Sequence, residues 1–419
     1  MIKGAKLENH KEMSITNEIV DMTDVKTVYI PLVNHSNLHC KCLVKVGKKV
    51  SKDTIIGIRE EMNFPIYSSV SGKVVDISKC LYLNGELVDC VVIESDGKNT
   101  ESNKTIVDDI TNYSKEGYIE IIRKCAVSGI GGSDFPTYLK YKDKLDTLIV
   151  NAVECEPYIT SDYMISRLKS KEILEVIDAI MKINDIKTGI IAYKKYNTAI
   201  YESFSKYISN YPNIKLIGVK NMYPMGWERH VVKSAVGVEY DRFPSEKGIV
   251  VNNVSTIYSI YYALKYQEPI SERILTLSGC NFKEKINVMV KIGTNLKDII
   301  EKLGGYNKIS STKFIAGGPM MGKSLLSDEL VVTKNLNCVI AIKDYTDNEE
   351  SPCIRCGRCD YICPANLSPV LIKDNIKNID ELKKLRPLAC MECGLCSYIC
   401  PSKINLRNYV MLAKSEVKK

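Results

Sequence analysis

Cys353-Ile-Arg-Cys356-Gly-Arg-Cys359-Asp-Tyr-Ile-Cys363-Pro364 and Cys390-Met-Glu-Cys393-Gly-Leu-Cys396-Ser-Tyr-Ile-Cys400-Pro401 are two copies of one run. Three cysteines spaced by two residues can wrap one face of an iron–sulfur cube while a distant fourth closes the cage, so the runs specify two [4Fe–4S] clusters. In runs of this type the fourth cysteine serves the other cluster. One ligand set is then Cys353, Cys356, Cys359 and Cys400, and the other is Cys390, Cys393, Cys396 and Cys363. Paired C-x2-C alone would suit structural zinc. The third cysteine, the following proline and the duplication favour clusters, and crossed ligation makes residues 350–410 one domain.

The chain has 419 residues, more than one core organises, and about three domains are expected from that length. Its start, MIKGAKLENHKEM, lacks the apolar stretch of a signal peptide, and no window reaches the roughly 18 consecutive apolar residues of a spanning helix. Half of its 16 cysteines stand in the two runs, so a reducing cytoplasm is expected rather than a disulfide framework. The net charge of +8 comes from lysines spread along the whole chain with no nucleic-acid motif, and no nucleic-acid partner is expected.

Residues 1–26 are polar with isolated apolar positions, the pattern of a segment that wraps a neighbouring domain. From Val28 to Glu94 branched residues alternate, with Gly47, Gly57 and Gly72 at reversals, which indicates a small antiparallel barrel or sandwich. The repeated Val-x-x-Gly pattern resembles the barrel-sandwich hybrid of biotinyl and lipoyl domains. Between its halves, Glu60-Glu-Met-Asn-Phe64 offers no lysine for a prosthetic group, so the module spanning residues 1–100 reads as structural. After a polar linker (101–115) the periodicity becomes helix–strand alternation: a helix over 118–127, a strand over 148–153, a helix over 161–183, then strands over 189–193 and 214–219 flanking a helix over 198–208. This is an α/β domain, residues 116–266, with a largely parallel sheet.

Four polar segments fall at its strand–helix junctions. Ser128-Gly129-Ile-Gly131-Gly132-Ser-Asp134-Phe135-Pro136-Thr137 clusters glycines before a helix, which lets backbone N–H groups approach a phosphate. Asn151-Ala-Val-Glu154-Cys155-Glu156-Pro157-Tyr158 puts two carboxylates and an amide at the carboxyl end of a strand, where ligands of open α/β sheets sit. Tyr223-Pro-Met-Gly226-Trp227-Glu228 precedes a helix, and Asn252-Asn253-Val254-Ser255-Thr256 joins a strand to another, with helix capping an equal account of the two asparagines. The four histidines do not cluster, and no catalytic acid or base is assigned.

Taken together, these segments resemble the flavin- and nicotinamide-binding segments of the NADH-binding flavoprotein subunit of respiratory complex I and of the RnfC family. The order of opening segment, barrel, flavin domain and cluster runs is similar to the RnfC family over nearly the whole chain. The resemblance implies a multidomain α/β and α+β architecture: barrel-sandwich hybrid, α/β flavin-binding domain, a β-grasp SLBB module over 270–343, and a C-terminal two-cluster ferredoxin-like domain. It implies FMN held by Gly129, Gly131 and Gly132, with Lys140, Asn151, Glu154, Gly226, Glu228, Asn252 and Asn253 around it. NADH, the substrate, would stack between the flavin and Phe135, with Phe243 a further candidate and Glu156 on its ribose.

Three positions depart from that pattern: Asp134 replaces a glycine, Trp227 a small residue and Ser255 a glutamate. A carboxylate at Asp134 would place negative charge beside two anionic cofactors. The reading is an NADH-dependent flavin and iron–sulfur oxidoreductase subunit, working with other subunits of a membrane-bound electron transport complex, with ferredoxin among its partners. The expected place is cytoplasmic, peripheral on the inner face of the cell membrane. The alternatives are an electron donor to a soluble reductase such as proline reductase, and a flavin-free iron–sulfur adaptor.

Overall fold

Alternating branched residues pair as expected in the first module. The computed structural model describes residues 2–15, 18–34, 38–100, 105–132, 134–307, 312–343 and 349–418; part of the polar linker, 101–104, and the stretch 344–348 before the cysteine runs lie outside them. Strands Thr27–Pro31, Leu87–Ser95, Gly72–Leu81 and Lys49–Val50 form one antiparallel sheet in that order, and Lys41–Cys42, Ile55–Arg59 and Phe64–Tyr67 form a second. Val28, Ile30, Val50, Ile56, Val74, Val91 and Ile93 fill the space between them.

Near-continuous apolar runs in the next region build a sheet covered on both faces, as parallel strands require. Its order is Ile214–Val219, Thr188–Lys194, Thr147–Ala152, Ile249–Asn253, and every pairing is parallel. The chain therefore leaves Thr147–Ala152 to one side first and returns to its other side last. The single helix expected over 161–183 is instead two, Ser161–Leu168 and Ser170–Ile183, separated at Lys169, whose backbone (φ −122°, ψ 25°) is not helical. The break separates two packing jobs: Ser161–Ser166 is buried throughout, with the strand Glu272–Ser278 among its neighbours, whereas the second helix buries one stripe.

The region expected to form a β-grasp module (270–343) opens with two strands and a helix, Glu272–Ser278, Ile286–Lys291 and Leu296–Lys302. These strands belong to a six-stranded mixed sheet that recruits Val20–Met22 from the opening segment, parallel to Ile286–Lys291. Upstream of that strand the opening segment lies along the α/β sheet: Ala5 and Tyr223 exchange backbone hydrogen bonds (2.8 and 2.7 Å), and Tyr158 N donates to Asn9 O (2.8 Å). In the cysteine region short helices pack around buried Leu367, Ile372, Leu382, Val410 and Ala413. The helix Leu406–Lys418 packs on Pro369–Asp374, Ile379–Leu385 and Leu395–Tyr398, tying the two runs together.

Candidate functional site

A cavity of about 400 Å³ opens at the carboxyl ends of Thr147–Ala152 and Ile249–Asn253. Strand order reverses between these two strands, and that is where ligands of open parallel sheets bind. Gly129, Gly131 and Gly132 form one wall. Gly131 has φ +78°, and a Cβ there would stand 3.5 Å from Asn337 Nδ2 and 3.8 Å from Asn253 Nδ2, so its bareness keeps a space open beside two amide donors. Ile130 N donates to Thr256 Oγ1 (2.9 Å), which anchors the loop to the start of the helix Val254–Tyr266.

Lys140 brings the cavity a cation. Its Nζ donates to Val251 O (2.8 Å), burial pushes its pKa below the usual lysine range, and Glu228 opposes that shift. Asn151 braces two walls, donating to Gly226 O (2.9 Å) and accepting from Val153 N (3.2 Å). Glu228 opens the helix Glu228–Val236, where its charge suits the positive helix end, and accepts from Tyr240 OH (2.8 Å). Asn253 caps the helix Val254–Tyr266 by accepting from Ser255 N (2.7 Å), so the capping account applies to it even as it walls the cavity. Asn252, also in the wall, donates to Tyr141 OH (2.6 Å).

Two glutamates in the wall are held by protein donors. Glu154, at φ +40°, accepts from Asp162 N (2.7 Å) and from Lys11 Nζ (3.1 Å); burial pushes its pKa up to about 7 against the pull of Lys11. Glu156 accepts from Met320 N (3.1 Å) and Met321 N (2.9 Å), and burial likewise pushes it up to about 7. These two amides come from Gly317-Gly-Pro-Met-Met-Gly322, where a side chain at Gly318 would collide with the Glu156 carboxylate. Glu156 walls the cavity but is committed to this loop.

The two phenylalanines expected at the nicotinamide do not line this cavity. Phe135 is outside the cavity wall, where its carbonyl accepts from Gly129 N (2.9 Å), and Phe243 is 66% exposed. The carboxylate at Asp134 also turns away: it accepts from Ser128 Oγ and lines a separate, smaller cavity together with Lys334, whose charge it faces. Trp227 forms part of the main wall and meets the His230 ring edge-on at 5.0 Å. Ser255 donates to Asp162 (2.6 Å), as does Asn253 (2.6 Å), so Asp162 supplies a carboxylate beside the position where a glutamate was missed.

The cysteines gather in two groups that cross the runs. Cys353, Cys356, Cys359 and Cys400 line one space of about 230 Å³, more than a single ion needs, roofed by Val370, Ile404 and Leu406. Burial pushes the Cys390, Cys393 and Cys396 thiols up, and Cys363 stands close enough to each of them to add to that rise. Backbone N–H groups point at the sulfurs: Leu367 N to Cys363, Glu392 N to Cys390 (each 3.3 Å) and Arg355 N to Cys353 (3.4 Å). Such donors suit thiolate ligands.

Residues 1–98 match the RnfC barrel sandwich hybrid domain, 122–262 the Nuo51 FMN-binding domain, and 352–404 the 4Fe-4S dicluster domain. One subunit of the proton-translocating ferredoxin:NAD(+) oxidoreductase complex of Clostridium ljungdahlii is 33% identical over 356 residues, covering 82% of this chain and 77% of that protein. The chain belongs to the RnfC family. The corresponding subunit of the Na(+)-translocating ferredoxin:NAD(+) oxidoreductase complex of Acetobacterium woodii is 29% identical, covering 83% of this chain and 80% of that protein. The NAD+-reducing [NiFe]-hydrogenase in its air-oxidized state shares the fold, with a TM-score of 0.51 at 14% identity over 74% of this chain and 62% of that one.

In this RnfC-family chain the FMN-binding match falls on the 400 Å³ cavity. The donors there, Lys140 and the amides of Asn253 and Asn337, fit a ligand of ring carbonyls and phosphate oxygens, and the volume lies within the usual range for cofactor sites. Three contributors went unread in the sequence. Lys11 lies in a polar segment without a motif, and Asp162 looks like an ordinary helix-start acid. Met391 reaches the cavity wall from within the second cysteine run, a placement that only the fold creates.

Proposed function

We propose that this chain carries electrons between NADH and a partner redox protein, with FMN in the main cavity and one [4Fe–4S] cluster in each cysteine group. When bound, FMN exchanges a hydride with a nicotinamide as two electrons and the clusters take electrons singly, which is the cofactors' chemistry rather than the protein's. The protein binds, orients and encloses. Lys140 and the glycine loop would hold the phosphate and ring oxygens, while Asn151, Glu154, Gly226, Glu228, Asn252 and Asn253 would close the rim. Glu154 and Glu156, with pKa values near 7, hold or release protons at the wall in neutral solution.

One observation carries the reading: the flavin cavity and the second cysteine group share a wall. Met391, between Cys390 and Cys393, lines the cavity, and Tyr223 OH donates to Cys393 O (2.7 Å). The first group opens outward, with Cys356 exposed and Ile354 and Tyr361 67% and 82% exposed, and there electrons would pass to the partner. No helix among the described residues is long and apolar enough to cross a membrane, so attachment to a membrane complex at its cytoplasmic face would be through other subunits. Adding NADH anaerobically to the full chain should bleach flavin absorbance and bring up a reduced-cluster EPR signal. Flavin bleaching without the signal would break the proposed wire, and no bleaching would remove NADH as donor.

Two substitutions test the wall. Glu228→Ala should weaken flavin retention by about tenfold, the effect of losing a hydrogen bond to a charged group, with iron content unchanged. Acid-released flavin and iron assays measure both, and full flavin occupancy would take Glu228 out of the site. Asp134→Gly should change the NADH dissociation constant by less than about twofold at low or high salt, because its carboxylate faces Lys334 in another cavity. A marked tightening at low salt would return that charge to the nicotinamide.

A further inference from the structure

A second cavity, of about 300 Å³, lies on the other side of the strand Thr147–Ala152, between its carboxyl end and that of Thr188–Lys194. Lys194, the last residue of its strand, lines this cavity and is only 5% exposed. Among the described residues its Nζ makes no hydrogen bond; it stands 5.7 Å from the centroid of the Tyr196 ring. The Lys194 side chain is thus largely enclosed while its ammonium opens into the cavity with no acceptor among the described residues, an arrangement suited to a ligand of opposite charge.

Glu154 attracts Lys194 without making a hydrogen bond to it. Lys11 and Glu154, both in the wall, are committed to each other at 3.1 Å, and Glu12 at the rim is exposed. Burial and the nearby Lys11 push Lys194 down to about 8, which leaves it mostly cationic at neutral pH. A second donor group meets the same space. The helix Thr198–Ser205 begins there with Asn197, Thr198, Ala199 and Ile200 in the wall, no side chain caps it, and its first turn holds no acidic residue. Thr198 N donates to Tyr196 O (3.1 Å), and the rest of the positive end of that helix is left to whatever enters the cavity.

We infer that this cavity is an anion site, taking the phosphate group of a small phosphorylated molecule between Lys194 and the first turn of the helix Thr198–Ser205. Its volume is at the lower limit for ligand pockets, suited to a small phosphorylated metabolite and too small for a dinucleotide. Glu154 walls both cavities, so the site stands directly behind the proposed flavin position. It does not depend on that assignment.

The test uses anaerobic, flavin-loaded full chain, so that the flavin's own phosphate occupies the main cavity. Inorganic phosphate is titrated by calorimetry at constant ionic strength, and melting temperature is followed with and without phosphate. Wild type should bind saturably at millimolar concentration or below and melt higher with phosphate, since a ligand of the native state stabilises it. Lys194→Gln should weaken binding at least about tenfold and lose the thermal shift, the size expected for a charge-assisted contact. Lys195→Gln, at the exposed next position, should behave as wild type. Because Lys194→Gln breaks no hydrogen bond or ion pair among the described residues, its phosphate-free melting temperature should not fall by more than about 2 °C. Absence of saturable binding in wild type, equal binding by Lys194→Gln, or equal weakening in both variants would overturn the site.

Discussion

Cys363→Ala is expected to lower iron from about eight to about four per chain and to remove the cluster of the second run, not the first. By sequence distance the loss should fall on the run in which Cys363 stands. The geometry says otherwise, since Cys363 faces Cys390, Cys393 and Cys396, while Cys400 closes the space around Cys353, Cys356 and Cys359. Alanine leaves three thiolates and an open corner at a site whose other partners, Leu367 N and Glu392 N, are positioned for sulfur. Cys400→Ala should produce the mirror result. Iron and sulfide analysis together with the EPR spectrum of the reduced, anaerobically purified variants distinguishes the two clusters. If the group adjoining Met391 survives Cys363→Ala, crossed ligation is wrong. Since that group shares a wall with the flavin cavity, Cys363→Ala should also abolish NADH-driven reduction of the remaining cluster while NADH still bleaches the flavin.

What the sequence disclosed and what it hid divide along a physical line. Cysteine spacing, a glycine loop before a helix and carboxylates at a strand end are local patterns, because the local backbone fixes which groups converge. Those readings extended to the crossed cysteine groups and to the cavity wall from Gly129 to Asn253. Features that depend on distant partners were not legible. The 161–183 periodicity is continuous, yet the helix breaks at Lys169 because its two halves pack on different neighbours. Asp134 lies within the flavin loop by sequence but is turned by Ser128 and Lys334 toward the barrel side. Phe135 follows it out of the cavity. Lys11 gave no signal at all, since nothing near it in sequence marks a residue that crosses to a strand end 143 positions away.

Lys11→Met is expected to be strongly destabilising, and its damage should depend on pH. Lys11 is 7% exposed, and its ammonium donates to Glu154 Oε2 (3.1 Å), to Glu154 O (2.9 Å) and to Ile159 O. Removing one partner of a buried pair leaves an uncompensated charge, which costs about 3–5 kcal/mol. Here the remaining group can avoid part of that cost by binding a proton. Burial already holds Glu154 at about 7, above its unfolded value of 4.5, with Asp162 adding to the rise and Lys11 resisting it. For an acid raised in the folded state, the stabilising contribution is complete below the unfolded value and is lost as pH climbs through the folded one. Without Lys11 the folded value rises further, so the variant's deficit should grow from pH 6 to pH 8.5. At pH 6 Glu154 is largely protonated in both proteins and only the lost hydrogen bonds and packing separate them. Thermal unfolding of the anaerobic proteins across that range should show a gap of about 5 °C or more at the alkaline end, narrowing toward pH 6. Adding Glu154→Gln to the variant should flatten the pH dependence, since no titrating group then remains at the pair. A deficit that stays constant with pH, or persists unchanged in the double variant, would mean that Lys11 acts only as a clamp for residues 5–14 along the sheet.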